Sequence, residues 1–390
     1  MSSRAVLYSA VDDVITRYAI DVDTATLQKM ESITVASKVQ YAWPHPSGDY
    51  LYVSTSDGGP RIESNHNHVR AYSLGPEGQL NAHGKAARLA CRAVHLCVDP
   101  LGRFIINAHN FKRGALTVHR INADFTIGAC QAQDPNSHFG IYPHQVMFYP
   151  SGQRVLVVDR GNKAAGDKPE DPGALRSFRV TAESLQPIDV VAPNQGHDFG
   201  PRHVDFHPTQ PWLYASDERT NRLYMFRYPS GQIESKPAFT RETLKAPQHA
   251  HSRQLAGAIH VHPNGRFVYL ANRADATHDH QGQNVFSGGE NNIAVYAINA
   301  DTGEPTLIQH ADTHSFHVRT FACDPSGRLL VTASIKALSE CDNELTITET
   351  PAALSIFRIG DNGHLEYVRR VDVETQGSQL QYWMGIVGLR

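Results

Sequence analysis

The chain has 390 residues, of which 41% are hydrophobic and 19% are charged, with a formal net charge of −3. This composition is ordinary for a globular protein, and the small acidic excess argues against a nucleic-acid partner. No apolar run reaches about 18 residues, so the sequence predicts no transmembrane helix and no membrane partner.

The predicted elements begin with two strands, at 5–11 and 14–20, and then follow one repeated pattern. Each copy is an apolar strand, a turn centred on proline, and a second apolar strand, which is a hairpin signature. Six copies occur, at 42–55, 96–109, 146–159, 204–217, 259–272 and 321–334. A third strand follows each copy, at 68–74, 115–121, 174–180, 222–228, 292–298 and 353–359.

The number of third strands predicts the number of blades. Counting the strand at 14–20, there are seven, and the segment 381–389 can supply the first strand that this N-terminal copy lacks. We therefore predict an all-β, seven-bladed β-propeller, a single domain over residues 1–390, whose N- and C-terminal strands share one blade and close the ring. A β-sandwich would not repeat a proline hairpin at near-constant spacing, and a helical solenoid needs a 3.6-residue period.

The repeat proline serves as a reference point for finding residues at one mouth of the channel. A residue six before it opens the first strand, and a residue ten after it ends the antiparallel second strand at the same edge. The first position holds Gln40, Val94, His144, Arg202, Gly257 and Arg319; the second holds Ser56, Asn110, Arg160, Glu218, Arg273 and Ile335. Four arginines against one glutamate predict a positive pocket for a small ligand with carboxylate or phosphate groups.

The motif GPRHVDFHP at 200–208 is the sharpest local signal. It predicts that Arg202 faces the channel while His203 faces a neighbouring blade. Glu218 is either an ion-pair partner of these arginines or a catalytic carboxylate, which a sequence alone does not separate. His144 differs from the histidines of the repeat turns because it occupies a channel position beside the arginines.

Long connections between second and third strands, at 57–67, 161–173, 274–291 and 336–352, emerge at the same mouth. We expect them to be structureless lids over the site. The histidine pairs in loops, such as His278 and His280, lack the further ligands that a metal site needs, and no phosphate-binding glycine motif is present. The sequence therefore predicts neither a metal nor another cofactor. Five widely spaced cysteines, an odd number, and the absence of a signal-peptide pattern favour a cytoplasmic protein.

These motifs, with AGAIHVHPNGRFVYLANR at 256–273 and the C-terminal WMGIVGL, resemble the propeller lactonase family. That family contains bacterial-type 6-phosphogluconolactonase and 3-carboxy-cis,cis-muconate lactonizing enzyme. The resemblance implies catalytic roles for His144, Arg202, Glu218 and Arg273, and a substrate-binding role for Arg319; Arg160 and His203 complete the predicted substrate site. The loops at 274–291 and 336–352 depart from the family by their greater length.

The resulting expectation is an enzyme that hydrolyses a small anionic lactone without a cofactor. Arginines would hold the anion and the oxyanion, and His144 or Glu218 would be the general base. Because arginine neighbours keep Glu218 ionised, the sequence favours it as that base. Two alternatives stay open: cycloisomerisation of a carboxymuconate-type diacid, and a noncatalytic propeller scaffold. The sequence leaves the oligomeric state open.

Overall fold

The computed structural model describes residues 4–59, 62–110, 114–134, 136–181, 184–341 and 346–389. Within these ranges the chain forms strands β1–β32 and two short 3-10 turns, Pro193–Gly196 and Pro247–His249. None of the helical segments described there is long and apolar enough to cross a membrane.

The strands follow one another around the ring in chain order, blade by blade. The chain opens with β1 (Ala5–Val11), β2 (Val14–Asp21) and β3 (Thr26–Thr34). Blade one is β4 (Lys38–Pro44), β5 (Tyr50–Ser56), β6 (Asn67–Leu74) and β7 (Leu80–Arg88); blade two is β8 (Ala93–Val98), β9 (Phe104–His109), β10 (Ala115–Ile121) and β11 (Ile127–Gln131). Blade three is β12 (Pro143–Phe148), β13 (Arg154–Asp159), β14 (Ala174–Val180) and β15 (Leu185–Val191); blade four is β16 (Pro201–Phe206), β17 (Trp212–Asp217), β18 (Arg222–Arg227) and β19 (Phe239–Glu242).

Blades five and six each carry an inserted hairpin. Blade five is β20 (Leu255–Val261), β21 (Phe267–Arg273), β24 (Asn292–Ile298) and β25 (Pro305–Asp312), with the insertion β22 (Thr277–His280) and β23 (Gln283–Phe286). Blade six is β26 (Val318–Cys323), β27 (Leu329–Ser334), β30 (Ala353–Ile359) and β31 (Leu365–Asp372), with the insertion β28 (Leu338–Cys341) and β29 (Ile347–Thr350). The last strand is β32 (Gln381–Gly388).

The seventh blade joins the two ends of the described chain. Its sheet order is β3-β2-β1-β32, and β1 pairs antiparallel with β32. The first strand of each blade contacts the first strand of the next, and β32 contacts β4, so the innermost strands form a closed ring. The predicted seven-bladed β-propeller is confirmed. The outer fourth strands were not predicted, because their half-exposed faces carry no regular apolar pattern; β3 reads TLQKMESIT.

The hydrophobic core lies between blades. Each of the seven described clusters combines residues from two adjacent sheets, as Leu156 of blade three packs with Val204 and Phe226 of blade four. Apolar residues of β6 and β8, such as Val69 and Leu96, make the corresponding cluster of blades one and two. Because every blade buries its two faces against its two neighbours, ring closure completes the core.

Histidines of the proline turns also join neighbouring blades. In three turns, Nε2 of the histidine lies within hydrogen-bond distance of the carbonyl oxygen of a turn glycine in the next blade: His45 with Gly102 at 3.3 Å, His207 with Gly265 at 2.8 Å and His262 with Gly327 at 2.8 Å. Gly265 has a φ of +73°, and a Cβ there would meet the His207 ring at 2.6 Å. These histidines are therefore structural, and this turn requires glycine.

A β-bulge occurs at the mouth end of the first strand in all seven described blades. The pairing of first and second strands shifts there in every sheet. The extra residues are Gln40, Val94, His144, Arg202, Gly257 with Ala258, Arg319 and Tyr382. A bulge re-aims its side chain without ending the sheet, and in six blades it falls at the position six before the repeat proline. The predicted mouth position thus coincides with a recurring backbone irregularity.

The two longest mouth loops are not structureless, so that prediction was wrong. Their hairpins combine into an eighth sheet of order β22-β23-β28-β29, in which β23 and β28 pair in parallel at Val285 and Ser339. The loop at 161–173 contains two isolated bridges, including Asn162 with Asp171. Residues 60–61 of the first loop and 342–345 of the last lie outside the described residues. A role for these segments as lids stays a prediction.

Candidate active site

Glu218 lies at the centre of the arginine cluster. Its Oε2 accepts a hydrogen bond from Nη1 of Arg160 at 2.6 Å, and its Oε1 accepts one from Nη2 of Arg273. Nε of Arg202 lies 3.2 Å from the same Oε1. The three arginines come from blades three, four and five, so one carboxylate joins three blades at the mouth.

Arg202 is buried but has almost no polar partners. Its side chain is 1% exposed, and its Nε and Nη1 donate no hydrogen bond within the described part of the chain. Burial and the neighbouring Arg273 lower the pKa of Arg202, although Glu218 acts in the opposite direction. A guanidinium nevertheless remains charged in proteins, and buried donors normally find acceptors. Arg202 is therefore a buried cation with unused donors.

The electrostatics of Glu218 decide what it can do. Burial on its own raises its pKa, but Arg160, Arg273 and Arg202 together outweigh burial and hold the pKa far below its ordinary value. The carboxylate is consequently ionised and is a very weak proton acceptor. The predicted ionisation of Glu218 agrees with this pKa. Its role as the base stays a prediction, which the strong stabilisation of its charged form disfavours.

The backbone around Arg202 and Glu218 is fixed by their sequence neighbours. The buried carboxylate of Asp217 accepts hydrogen bonds from the backbone N–H groups of Gly200, at 2.7 Å, and Arg219, at 2.9 Å. Arg219 in turn donates to the carbonyl oxygens of Arg160 and Phe199. A Cβ at position 200 would overlap the Arg219 side chain, so glycine is required before Pro201. The motif GPRH and the pair Asp217-Glu218 are two halves of this local structure.

His144 and His203 lie together in the channel. Their ring centroids are 5.2 Å apart, and His203 is 5.9 Å from the ring of His95. The prediction that His203 faces a neighbouring blade is wrong: it lines an axial cavity of about 220 Å³ with Tyr41 and Trp383. In a regular strand, neighbouring side chains point to opposite faces of the sheet. Arg202 is the extra residue of a bulge, so this alternation does not hold between Arg202 and His203.

His144 and His203 are both neutral. Burial, with the charge of Arg202 as the next contribution, lowers the pKa of His144 and of His203 well below 6.5. Nδ1 of His144 is buried without a hydrogen-bond partner among the described residues. His144 therefore offers an unprotonated imidazole next to a buried guanidinium.

A second group of polar residues lies on blades one, two, six and seven. Nε of Arg92 donates to Oε1 of Gln40 at 2.6 Å, and its Nη2 donates to the hydroxyl oxygen of Tyr382. Arg319 donates from Nε to the carbonyl oxygen of Tyr382 at 3.0 Å, and its guanidinium lies 3.6 Å from the centre of the Tyr382 ring. Arg92 and Tyr382 were not predicted.

A third group of polar residues contacts Arg273 on the side away from Glu218. Its Nη1 donates to Nε2 of His317 at 3.1 Å, and Nδ1 of His317 lies 3.4 Å from Oδ1 of Asp275. Burial, with the charge of Arg273 added, lowers the pKa of His317 to about 4, so the ring is neutral and can accept that bond. Asp275 also accepts a hydrogen bond from Arg253 at 2.7 Å. These residues orient Arg273 towards Glu218.

The structure places the seven predicted site residues in and around the channel. Four of them, Arg160, Arg202, Glu218 and Arg273, are in direct contact. His144, His203 and Arg319 belong to the same electrostatic environment, since the charges of Arg202 and Arg319 affect both histidines. Among the described residues, no three His, Cys, Asp or Glu side chains are grouped closely enough to hold a metal ion.

Comparison with known proteins identifies the family. The family model described as "Lactonase, 7-bladed beta-propeller" matches residues 7–338. The chain belongs to this lactonase family, and the family prediction is confirmed. A 6-phosphogluconolactonase of Formosa agariphila is 29% identical over 329 residues, 79% of this chain and 80% of that protein. A 6-phosphogluconolactonase of Bacillus subtilis (strain 168) is 26% identical over 283 residues, 67% of this chain and 70% of that protein.

Solved structures of the same fold superpose on all or nearly all of the chain. A periplasmic gluconolactonase of Pseudomonas aeruginosa matches with a TM-score of 0.73 and 17% identity, over 100% of both chains. A protein from Lactobacillus plantarum matches with a TM-score of 0.69 and 20% identity, over 95% of this chain and 97% of its own. At these identities the likeness shows the fold of the lactonase family and not the substrate.

Proposed function

We propose that the protein hydrolyses a small lactone that carries a carboxylate or phosphate group, in the manner of a 6-phosphogluconolactonase. The observation that carries this proposal is Arg202, a buried cation with unused donors beside a single shared carboxylate. An anionic ligand would supply both the missing acceptors and the missing negative charge. The names of the relatives, 6-phosphogluconolactonase, support the same chemistry.

In the proposed mechanism the arginines act on charge that develops during the reaction. One guanidinium holds the fixed anion of the substrate, and Arg202 stabilises the oxyanion that forms when water attacks the lactone carbonyl. Glu218 positions the arginines through its ion pairs and takes no proton. His144 takes the proton from water, because it is neutral and its buried Nδ1 has no hydrogen-bond partner among the described residues. A bound anion reduces the positive field that suppresses its protonation, so the base strengthens when substrate binds.

The cellular setting is part of the proposal. All five cysteines are free thiols, and burial raises the pKa of four of them, which makes these thiols less reactive: Cys91, Cys97, Cys130 and Cys323. This pattern fits a reducing compartment, and we propose the cytoplasm. Fractionation of the native host, with the protein recovered outside the cytoplasmic fraction, would reject this assignment.

A substrate panel tests the proposed reaction. Sugar lactones, phosphorylated sugar lactones and carboxymuconates are incubated with wild type, Arg202→Ala and the control Arg222→Ala. Loss of Arg202 is expected to lower turnover of the true lactone on the order of 10²–10³-fold, because a buried oxyanion donor is removed. Arg222 pairs with Glu242 on the exposed outer part of blade four, so its loss is expected to leave turnover unchanged.

Two outcomes of the panel would reject the proposal. Loss of ultraviolet absorbance from the conjugated diene of a carboxymuconate, without acid release from any lactone, would identify a cycloisomerase. Activity on neither class would favour a noncatalytic scaffold. Acid release measured by pH-stat separates both outcomes from lactone hydrolysis.

The base is tested separately. Replacing His144 with Ala is expected to lower kcat on the order of 10²–10⁴-fold, which is the usual contribution of a positioned base. The exposed His364 supplies the control, since His364→Ala removes an imidazole far from the channel mouth. Initial rates at saturating substrate give kcat. Full activity of His144→Ala would exclude this histidine as the base.

A further inference from the structure

We propose that Tyr382 is the general acid of this site: its hydroxyl protonates the ring oxygen as the lactone C–O bond breaks. The assignment rests on the proposed lactone hydrolysis and adds a residue that the repeat alignment does not reach. Tyr382 is the bulge residue of blade seven, the counterpart of Arg202 and His144 in their blades. It therefore presents its side chain at the same level of the channel.

The hydrogen bonding of Tyr382 leaves its proton available. Nη2 of Arg92 donates to the hydroxyl oxygen, so that oxygen is an acceptor, and within the described chain its own hydrogen has no acceptor. The guanidinium of Arg319 lies over the ring, 3.6 Å from its centre. Two cations thus contact the oxygen and the ring, and both favour the phenolate that remains after the proton is given away.

The acidity of Tyr382 agrees with this geometry. Burial on its own raises its pKa, but Arg319 and Arg92 outweigh burial and bring the pKa below the ordinary value of 10.0. Every other described tyrosine with a displaced pKa has that pKa raised by burial, as Tyr214 and Tyr296 do. Among the other candidates, Glu218 is ionised and has no proton to give. The imidazolium of His144, formed when that histidine takes the proton from water, is the competing acid that the experiment must separate from Tyr382.

The reaction balances with these two groups. His144 takes one proton from water as the water oxygen bonds to the carbonyl carbon, which gives a tetrahedral oxyanion. Its collapse breaks the bond between that carbon and the ring oxygen, and the ring oxygen receives the phenolic proton. The imidazolium then returns a proton to the phenolate through solvent. The net change is lactone plus water to hydroxy acid, with no other reactant.

The leaving group provides the decisive experiment. A carboxylated δ-lactone, which expels an alkoxide, is compared with a carboxylated dihydrocoumarin, which expels a stable phenolate and needs little acid assistance. For Tyr382→Phe, kcat is expected to fall on the order of 10²–10³-fold on the first and less than about tenfold on the second. KM is expected to change little, because the phenyl ring under Arg319 remains.

Controls distinguish a catalytic from a structural effect. Tyr214→Phe removes another buried hydroxyl, which donates to the carbonyl oxygen of Gly303 between blades four and five, and is expected to alter neither rate. In wild type, kcat on the δ-lactone is expected to fall with rising pH below pH 10, as the phenol ionises, and Tyr382→Phe should lose that limb. If Tyr382→Phe lowers kcat equally on both lactones, or on neither, Tyr382 is not the general acid, while the proposed lactone hydrolysis still stands. If wild type hydrolyses neither lactone, the proposed function fails and the assignment with it.

Discussion

Replacing Glu218 with Gln is expected to lower the free energy of unfolding by about 3–5 kcal/mol. The substitution keeps the size of the side chain but removes the one negative charge that Arg160, Arg202 and Arg273 share. The pairs with Arg202 and Arg273 are almost fully buried, so solvent cannot replace the charge of Glu218 there. Removing one member of a buried ion pair costs far more than the net contribution of an exposed pair.

Chemical denaturation of wild type and Glu218→Gln measures this loss. The matched control is Glu242→Gln, which breaks the exposed pair with Arg222 and is expected to cost less than about 1 kcal/mol. Inorganic phosphate should restore part of the stability of Glu218→Gln, because an anion that binds only the folded state raises its apparent stability. Equal stability of wild type and Glu218→Gln would show that the carboxylate does not compensate the arginines.

The repeated proline turn was the sequence feature from which most of the site residues could be predicted. Its fixed distance to both strand ends located Arg202 at the bulge of the first strand of blade four. It also located Glu218 and Arg273, which lie at the mouth ends of the second strands of blades four and five. The same distance could not locate Tyr382, since β32 lacks the repeat proline and its blade is completed by β1 from the other end of the chain. Arg92 lies eight residues before its proline, outside the aligned positions.

Other features depend on contacts between distant segments. The eighth sheet forms when the two insertions pair at Val285 and Ser339. Neither insertion has an apolar pattern from which this pairing could be predicted. The support of Arg273 by His317 and Asp275 likewise crosses from blade five to blade six. In such cases the sequence shows which residue types are present, but it does not show which distant residues contact each other, and their roles depend on those contacts.

The protein is expected to lose stability steeply in mild acid because of its buried histidines. Seven buried histidines have a pKa lowered mainly by burial: His95, His109, His119, His144, His203, His207 and His317. In the unfolded chain each titrates near 6.5, so below that pH the unfolded state binds protons that the folded state excludes. Stability is therefore complete above about pH 6.5 and falls as the pH decreases.

The size of this effect follows from two of these histidines. His109 and His317 titrate at about 4 in the folded protein instead of 6.5, and each costs roughly 3 kcal/mol of unfolding free energy once the pH falls to that value. Two such losses already amount to a large part of the stability of a typical domain, about 5–15 kcal/mol, and the other five histidines act in the same direction. Glu218 and Asp275, whose pKa values are depressed, add their loss only at lower pH, below their unfolded values of 4.5 and 3.8.

Denaturation measured between about pH 7 and pH 4.5 tests this expectation, because its slope counts the protons taken up on unfolding. The expected slope corresponds to several protons in that window, where carboxylates contribute little. His109→Gln removes one buried imidazole between Arg92 and Thr117. It should reduce stability at neutral pH but make the acid slope shallower, whereas loss of the exposed His364 should change neither. A flat stability profile down to about pH 5 would contradict the assignment of neutral, buried histidines throughout the channel and core.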